Sequence, residues 1–146
     1  MPSFFIRFLE NSNGSFGFGP SAGSAYAGWA LRVVFAATFL FYGYSKATSL
    51  GGFADNMLGG NTFLALLVTF AELAAGAGII IGAFTLSIVS RLAGLAVIPV
   101  MLGAIFMVHL PNGFNFMGGG WNFQLVLLGI GLFYLLVGND DLATGK

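Results

Sequence analysis

TFLALLVTFAELAAGAGIIIGAF, Thr62 to Phe84, is apolar or small at nearly every position and carries a single charge, Glu72. A helix that crosses the hydrocarbon core of a bilayer needs about 20 predominantly apolar residues. Three other segments have the same character: Tyr26–Tyr44, Ile88–His109 and Trp121–Val137. A membrane-spanning β-strand alternates apolar with polar positions, whereas the run VVFAATFLF at 33–41 is apolar on every side, so a barrel is excluded. The sequence predicts an all-α membrane protein, a bundle of four transmembrane helices at about 26–44, 62–84, 88–109 and 121–137.

Composition leads to the same class. Of 146 residues 58% are hydrophobic, and only five are basic and five acidic. A soluble domain has roughly 25% charged residues, so at 7% charged the chain cannot cover a folded surface with polar groups and must use lipid as solvent. The absence of cysteine excludes disulfides, thiolate metal sites and dithiol redox chemistry within the chain. A net charge of zero offers no basic patch for a phosphate backbone, so nucleic acid is not an expected partner.

Residues 26–142 are expected to form the transmembrane domain. Residues 1–25 should be a flexible Gly/Ser-rich tail with a short aromatic segment, and 143–146 a C-terminal tail. The start of the chain does not fit a cleavable signal, because Arg7 interrupts the apolar run and Glu10 ends it. Four crossings place both termini on one side of the membrane. Arg7, Arg91 and Lys146 fall on that side with Arg32 just within it, and Lys46 stands alone on the other. The positive-inside rule then assigns the termini to the cytoplasm of a cell whose plasma membrane, bacterial or archaeal, holds the protein as a multi-pass chain.

In lipid, helices associate through small residues that let backbones approach. Ala65, Thr69, Glu72, Gly76 and Ala83 form one stripe, and Gly78 with Gly82 forms a small-residue pair on the adjoining face. Gly94 and Gly103, and Gly129 and Gly131, are candidates for matching grooves on the third and fourth helices. Pro99 should kink the third helix.

Ionisable groups at bilayer depth are costly unless paired or wet. Arg32, Ala36, Phe39, Gly43 and Lys46 share one face of the first helix. At 1.5 Å per residue Arg32 lies about 21 Å inward of Lys46, and Glu72 lies roughly 15 Å from the outer end of its own helix. That arithmetic brings Arg32 and Glu72 within reach of each other, as a structural ion pair or as a midplane proton or anion site. Asp140 and Asp141 are expected to reach Arg91 and clasp the C-terminus. At the outer end Lys46, His109, Asn122 and Gln124 should collect beside Trp121, and this is the expected ligand pocket. His109 could act as a proton donor, as a hydrogen-bond donor to a quinone carbonyl or as an axial metal ligand; bonding to loop carbonyls is the alternative. A lone histidine cannot build a bis-His haem site, and no metal site is expected within the chain. The 17 phenylalanines pack against helices and lipid, or cradle a flat quinone or pigment.

Read in order, Arg32, GYSK at 43–46, Glu72 with the glycine-rich run to Gly82, TLSIVSRLAGL at 85–95, His109 and the GGW opening the last helix resemble the DoxX-like family of small four-helix membrane proteins, over about residues 26–142. The resemblance implies a membrane subunit of an oxidoreductase assembly; the family includes the membrane subunit of a thiosulfate:quinone oxidoreductase. Partner subunits and a quinone are what it suggests, with Lys46, Glu72 and His109 as positions that carry over. Family members often have a Glu where this chain has Asn122, which points away from independent catalysis. The alternative function is a non-catalytic accessory subunit of a respiratory or photosynthetic membrane complex, packed against other helices, lipids or pigments. Solute transport is disfavoured by the lack of an internal repeat.

Overall fold

The computed structural model describes residues 22–142, with side chains from Tyr26 onward. The expected tail at residues 1–21 and the last residues, 143–146, lie outside the described residues. All regular elements among the described residues are helical: α1 Ala22–Thr48, α2 Leu50–Met57, α3 Thr62–Phe84, α4 Ser87–Gly103, a π-helical turn Ala104–His109, a 3-10 turn Leu110–Asn112, α5 Asn122–Val137 and a 3-10 turn Asp140–Leu142.

Among the described residues three helical segments are long and apolar enough to cross a membrane: Tyr26–Thr48, Thr62–Phe84 and Ser87–Asn112. The fourth, α5, has 16 residues. At 1.5 Å per residue it measures about 24 Å, less than the roughly 30 Å hydrocarbon core.

The connection between α1 and α3 is more ordered than its glycines suggest. Leu50, Phe53, Ala54 and Met57 recur at helical spacing on one face, and α2 folds on them with Ala54 buried. Gly59 and Gly60 then turn the chain at φ 60° and 82°, a region open to glycine and strained for other residues. Asn61 caps α3 by accepting from the Leu64 amide at 3.0 Å. Pro99 leaves α4 without one amide donor, and a few residues later the helix widens into the π-turn, closed by the Leu110 amide donating to Ile105 O.

The small-residue stripe packs as its spacing implies from Ala65 to Gly76, whereas Ala83 is only half-buried and Gly82 takes the inward position. Ala65, Thr69, Glu72, Ala75, Gly76, Ile79 and Gly82 are the buried residues of α3. Gly76 lies against Ala36 and Leu40 of α1, and Gly43 against Leu73. On the other side Gly78 meets Ala93 and Gly82 meets Ser90 of α4, and Gly94 of α4 meets Gly131 and Leu135 of α5. Gly103 and Gly129, the other expected groove glycines, have nothing within 4 Å of a Cβ built on them. The core between the helices consists of Phe35, Phe39, Ile79, Val97, Leu127 and Tyr134 with smaller neighbours. Across the α1–α5 side Phe35 packs edge-on to Tyr134 with ring centroids 5.6 Å apart.

Two expected ion pairs are corrected by this packing. Arg32 does not meet Glu72. The contacts of Gly43 with Leu73 and of Gly76 with Leu40 fix an antiparallel register in which Glu72 is level with residue 44. Arg32 is then twelve residues, or about 18 Å, away along the axis. The depth arithmetic assumed that α1 and α3 end at one height, whereas α3 rises past the end of α1 to carry α2. Nor do Asp140 and Asp141 reach Arg91. Gly138, at φ 64°, turns the chain back over α1, so that Asp141 lands on Arg32 while Asp140 stays exposed.

Candidate functional site

Polar chemistry gathers at the two ends of the bundle. At the end where α3 turns into α4, Arg32 is fully buried and each guanidinium nitrogen is used. Nε donates to Asp141 Oδ2 at 3.0 Å. Nη1 donates to Ile79 O at 2.8 Å and Ser90 Oγ at 2.9 Å. Nη2 donates to Gly138 O at 2.8 Å, Asn139 Oδ1 at 3.1 Å and Asp141 Oδ1 at 2.6 Å. The Tyr134 ring covers the cation, with the guanidinium carbon 4.9 Å from its centroid. Asn139 adds a bond from Nδ2 to Gly82 O at 2.8 Å, and its amide donates to Ser87 Oγ at 3.0 Å. Every donor of Arg32 is satisfied within the protein, so this cluster ties α1, α3, α4 and the C-terminal turn together and leaves no group to bind a ligand. Arg91 works nearby as a cap: Nη1 donates to Leu135 O at 3.0 Å and to Leu136 O at 2.6 Å, at the carbonyl end of α5.

The opposite end holds a cavity of about 790 Å³, walled by all five α-helices and the π-turn. At its floor Lys46 Nζ donates to both carboxylate oxygens of Glu72, at 2.9 and 2.7 Å. The Glu72 side chain is 4% exposed and that of Lys46 20%. The rings of Tyr42 and Phe53 flank the ammonium, with centroids 5.4 and 5.2 Å from Nζ. Two of the three ammonium protons go to Glu72, which leaves one for a ligand in the cavity. Elsewhere the walls are chiefly aliphatic and aromatic, with Phe39, Val68, Met101 and Leu127 among them.

His109 lines the rim, and its Nδ1 lies 2.6 Å from Gly119 O. A carbonyl can only accept, so Nδ1 carries the proton and the neutral ring has its lone pair on Nε2. The same carbonyl accepts from Asn112 Nδ2 at 3.1 Å, which pins the loop between α4 and α5. Gln124 also lines the cavity; its buried Oε1, like Oδ1 of Asn122, has no hydrogen-bond partner. Unpaired buried amide oxygens are uncommon in folded proteins, and a hydroxyl or water at this wall would satisfy one.

The structure thus brings together Lys46, Glu72, His109 and Gln124, four of the six ligand candidates. Asn122, the first residue of α5, and Trp121, in the turn before it, are half-buried and do not line the cavity; Trp121 packs edge-on to Phe114 with centroids 4.9 Å apart. Sequence reasoning placed Glu72 too deep for this group, and it missed the contribution of α2, whose Phe53 and Met57 line the site. The helical spacing from Leu50 to Met57 was the signal that could have found it. Among the described residues no three His, Asp or Glu side chains gather as a metal set.

The family model of DoxX matches residues 28–110, more than half of the chain, from the helix that carries Arg32 to the residue after His109. No curated protein and no solved structure matches.

Proposed function

The chain belongs to the DoxX family, and from that premise we propose that it is a four-crossing membrane subunit of an oxidoreductase assembly whose cavity binds a quinone head. Membership of the family, together with its long apolar helices, makes it a membrane protein. The observation that carries the proposal is the cavity: apolar walls wide enough for a quinone ring, with the Lys46–Glu72 pair at the floor and His109 at the rim. The free proton of the Lys46 ammonium suits a quinone carbonyl. Nε2 of His109, whose Nδ1–H is held by Gly119 O, offers an acceptor to the hydroxyl of the reduced form. One site thereby accommodates both redox states.

The short α5 completes a fourth crossing with the help of its flanking aromatic loop, so that both termini face the cytoplasm and the protein sits in the plasma membrane. Electron transfer is then the task of partner subunits, and this chain supplies the binding groups. The experiment is titration of the protein in lipid nanodiscs with ubiquinone and menaquinone analogues, beside Lys46→Met and His109→Ala. Micromolar binding that either substitution weakens by about tenfold supports the reading; no binding to the native chain refutes it.

A second reading, a structural accessory subunit without a ligand, is favoured by one observation. Lys46 and Glu72 satisfy one another, and an ion pair of this kind can serve packing alone. Isolation from the native membrane in mild detergent, followed by mass spectrometry of proteins, quinones and pigments, separates the two. Recovery in a large complex without quinone selects the accessory role.

A further inference from the structure

Resting on the reading of the cavity as a site for a lipid-soluble ligand, we infer that its mouth opens sideways into the bilayer between α3 and the π-turn, with Gly103 as the sill. The two helices touch through the half of the bundle that holds Arg32, where Gly82 lies against Ser90 and Gly78 against Ala93. Continuing that antiparallel register brings Val68 level with Gly103 and Leu64 level with Met107. All four of these residues line the cavity, and a Cβ built on Gly103 would meet nothing within 4 Å. The walls have therefore parted at the height where Pro99 and the π-turn carry α4 out of regular helical geometry.

On the opposite side, between α1 and α5, aromatic rings stand in the gap. Tyr42 packs on Phe123 with ring centroids 6.4 Å apart, and Phe123 on Phe116 at 5.8 Å. Among the described residues no aromatic pair spans the α3 side. Its lip is Leu64, Val68, Gly103 and Met107, without a polar atom in any side chain other than the Met107 sulfur, and Met107 is 61% exposed. An apolar lip opening from a polar floor selects a ligand with a polar head and an apolar tail. The head sits on Lys46, and the tail runs out over Gly103 among the lipid chains.

The test is Gly103→Trp, made in a background of Trp29→Phe and Trp121→Phe, in the full chain in nanodiscs. Two probes are titrated: a decyl-tailed ubiquinone and the same quinone head without a tail. The parent background should bind both, the tailed probe more tightly. Gly103→Trp is expected to weaken the tailed probe by about tenfold or more and to leave the tailless head within about twofold, because a bulky side chain at the sill obstructs the tail and not the floor. Equal effects on both probes, or none on either, in a variant that melts as its parent does would overturn the inference. The same tryptophan gives a reading that needs no quinone. Lipids brominated along their acyl chains should quench its fluorescence and aqueous iodide should not; quenching by iodide alone overturns the lateral mouth. Should neither probe bind the parent, the quinone reading fails by itself and the bromolipid result still decides where the cavity opens.

Discussion

Arg32 and Lys46 share one face of α1, yet their surroundings set them to different tasks. Arg32 has all its donors engaged and is fully buried. Its planar fork makes six hydrogen bonds that a lysine ammonium, with three donors, cannot reproduce. Arg32→Lys should therefore destabilise by leaving some of the acceptors Ile79 O, Gly138 O and Asn139 Oδ1 without a donor, and Arg32→Ala should cost more, about 3–5 kcal/mol, by leaving Asp141 unpaired; thermal unfolding in detergent would show both melting below the native chain. Lys46 and Glu72 form a closer-matched pair with an open side. Lys46→Met or Glu72→Leu alone strands a charge and should cost about 3 kcal/mol or more, whereas the double substitution removes both charges and should recover most of that loss. A double substitution that melts no higher than the singles would show that the two residues do not act as a pair.

At the scale of the element, glycines decide where helices touch and where they part. A methyl group on Gly94 would stand 2.5 Å from Gly131 O and 2.7 Å from the Leu135 amide, which backbone cannot yield without moving α4 off α5. Gly94→Ala is expected to destabilise the bundle by about 1–3 kcal/mol, while Gly129→Ala, facing open space, should be neutral or slightly stabilising through helix propensity. The contrast between these two glycines on the same melting assay tests whether close backbone approach holds α4 to α5. A repeat of apolar residues gave away α2 in principle, but glycines at 51, 52, 59 and 60 masked it. A helix of 8 residues is marginal in isolation, and it is packing of Ala54 and its neighbours against α3 that fixes it.

For the whole molecule the C-terminal turn is the keystone of one end. Ending the chain after Gly138 removes Asn139 and Asp141 together and strips Arg32 of both side-chain acceptors on that segment. Such a truncation should lower the melting temperature about as much as Arg32→Ala, and combining the two should add little, since they break the same network; additive losses would contradict this. The other end stays open at Gly103, which lies away from any partner, where α4 passes into the π-turn. One end is thus rigid and sealed by a charge network, and the other is a cavity bounded by apolar side chains.

Sequence alone determined the class of the protein and much of its site. Long apolar runs with few charges leave no soluble solution, the spacing of Ala65, Thr69, Glu72 and Gly76 fixes which face of α3 is buried, and the rarity of ionisable groups singled out Lys46, Glu72, His109 and Arg32. These follow from helical periodicity and from the cost of charge in lipid, both of which act locally. Which cation meets which carboxylate was decided by tertiary structure. Pairing depends on the relative height of two helices, and that height is set by the glycine contacts of α1 with α3 and by the turn at Gly138, none of which periodicity within one helix can express. An error of a few turns in axial register exchanges Lys46 for Arg32 as the partner of Glu72, and only packing removes it.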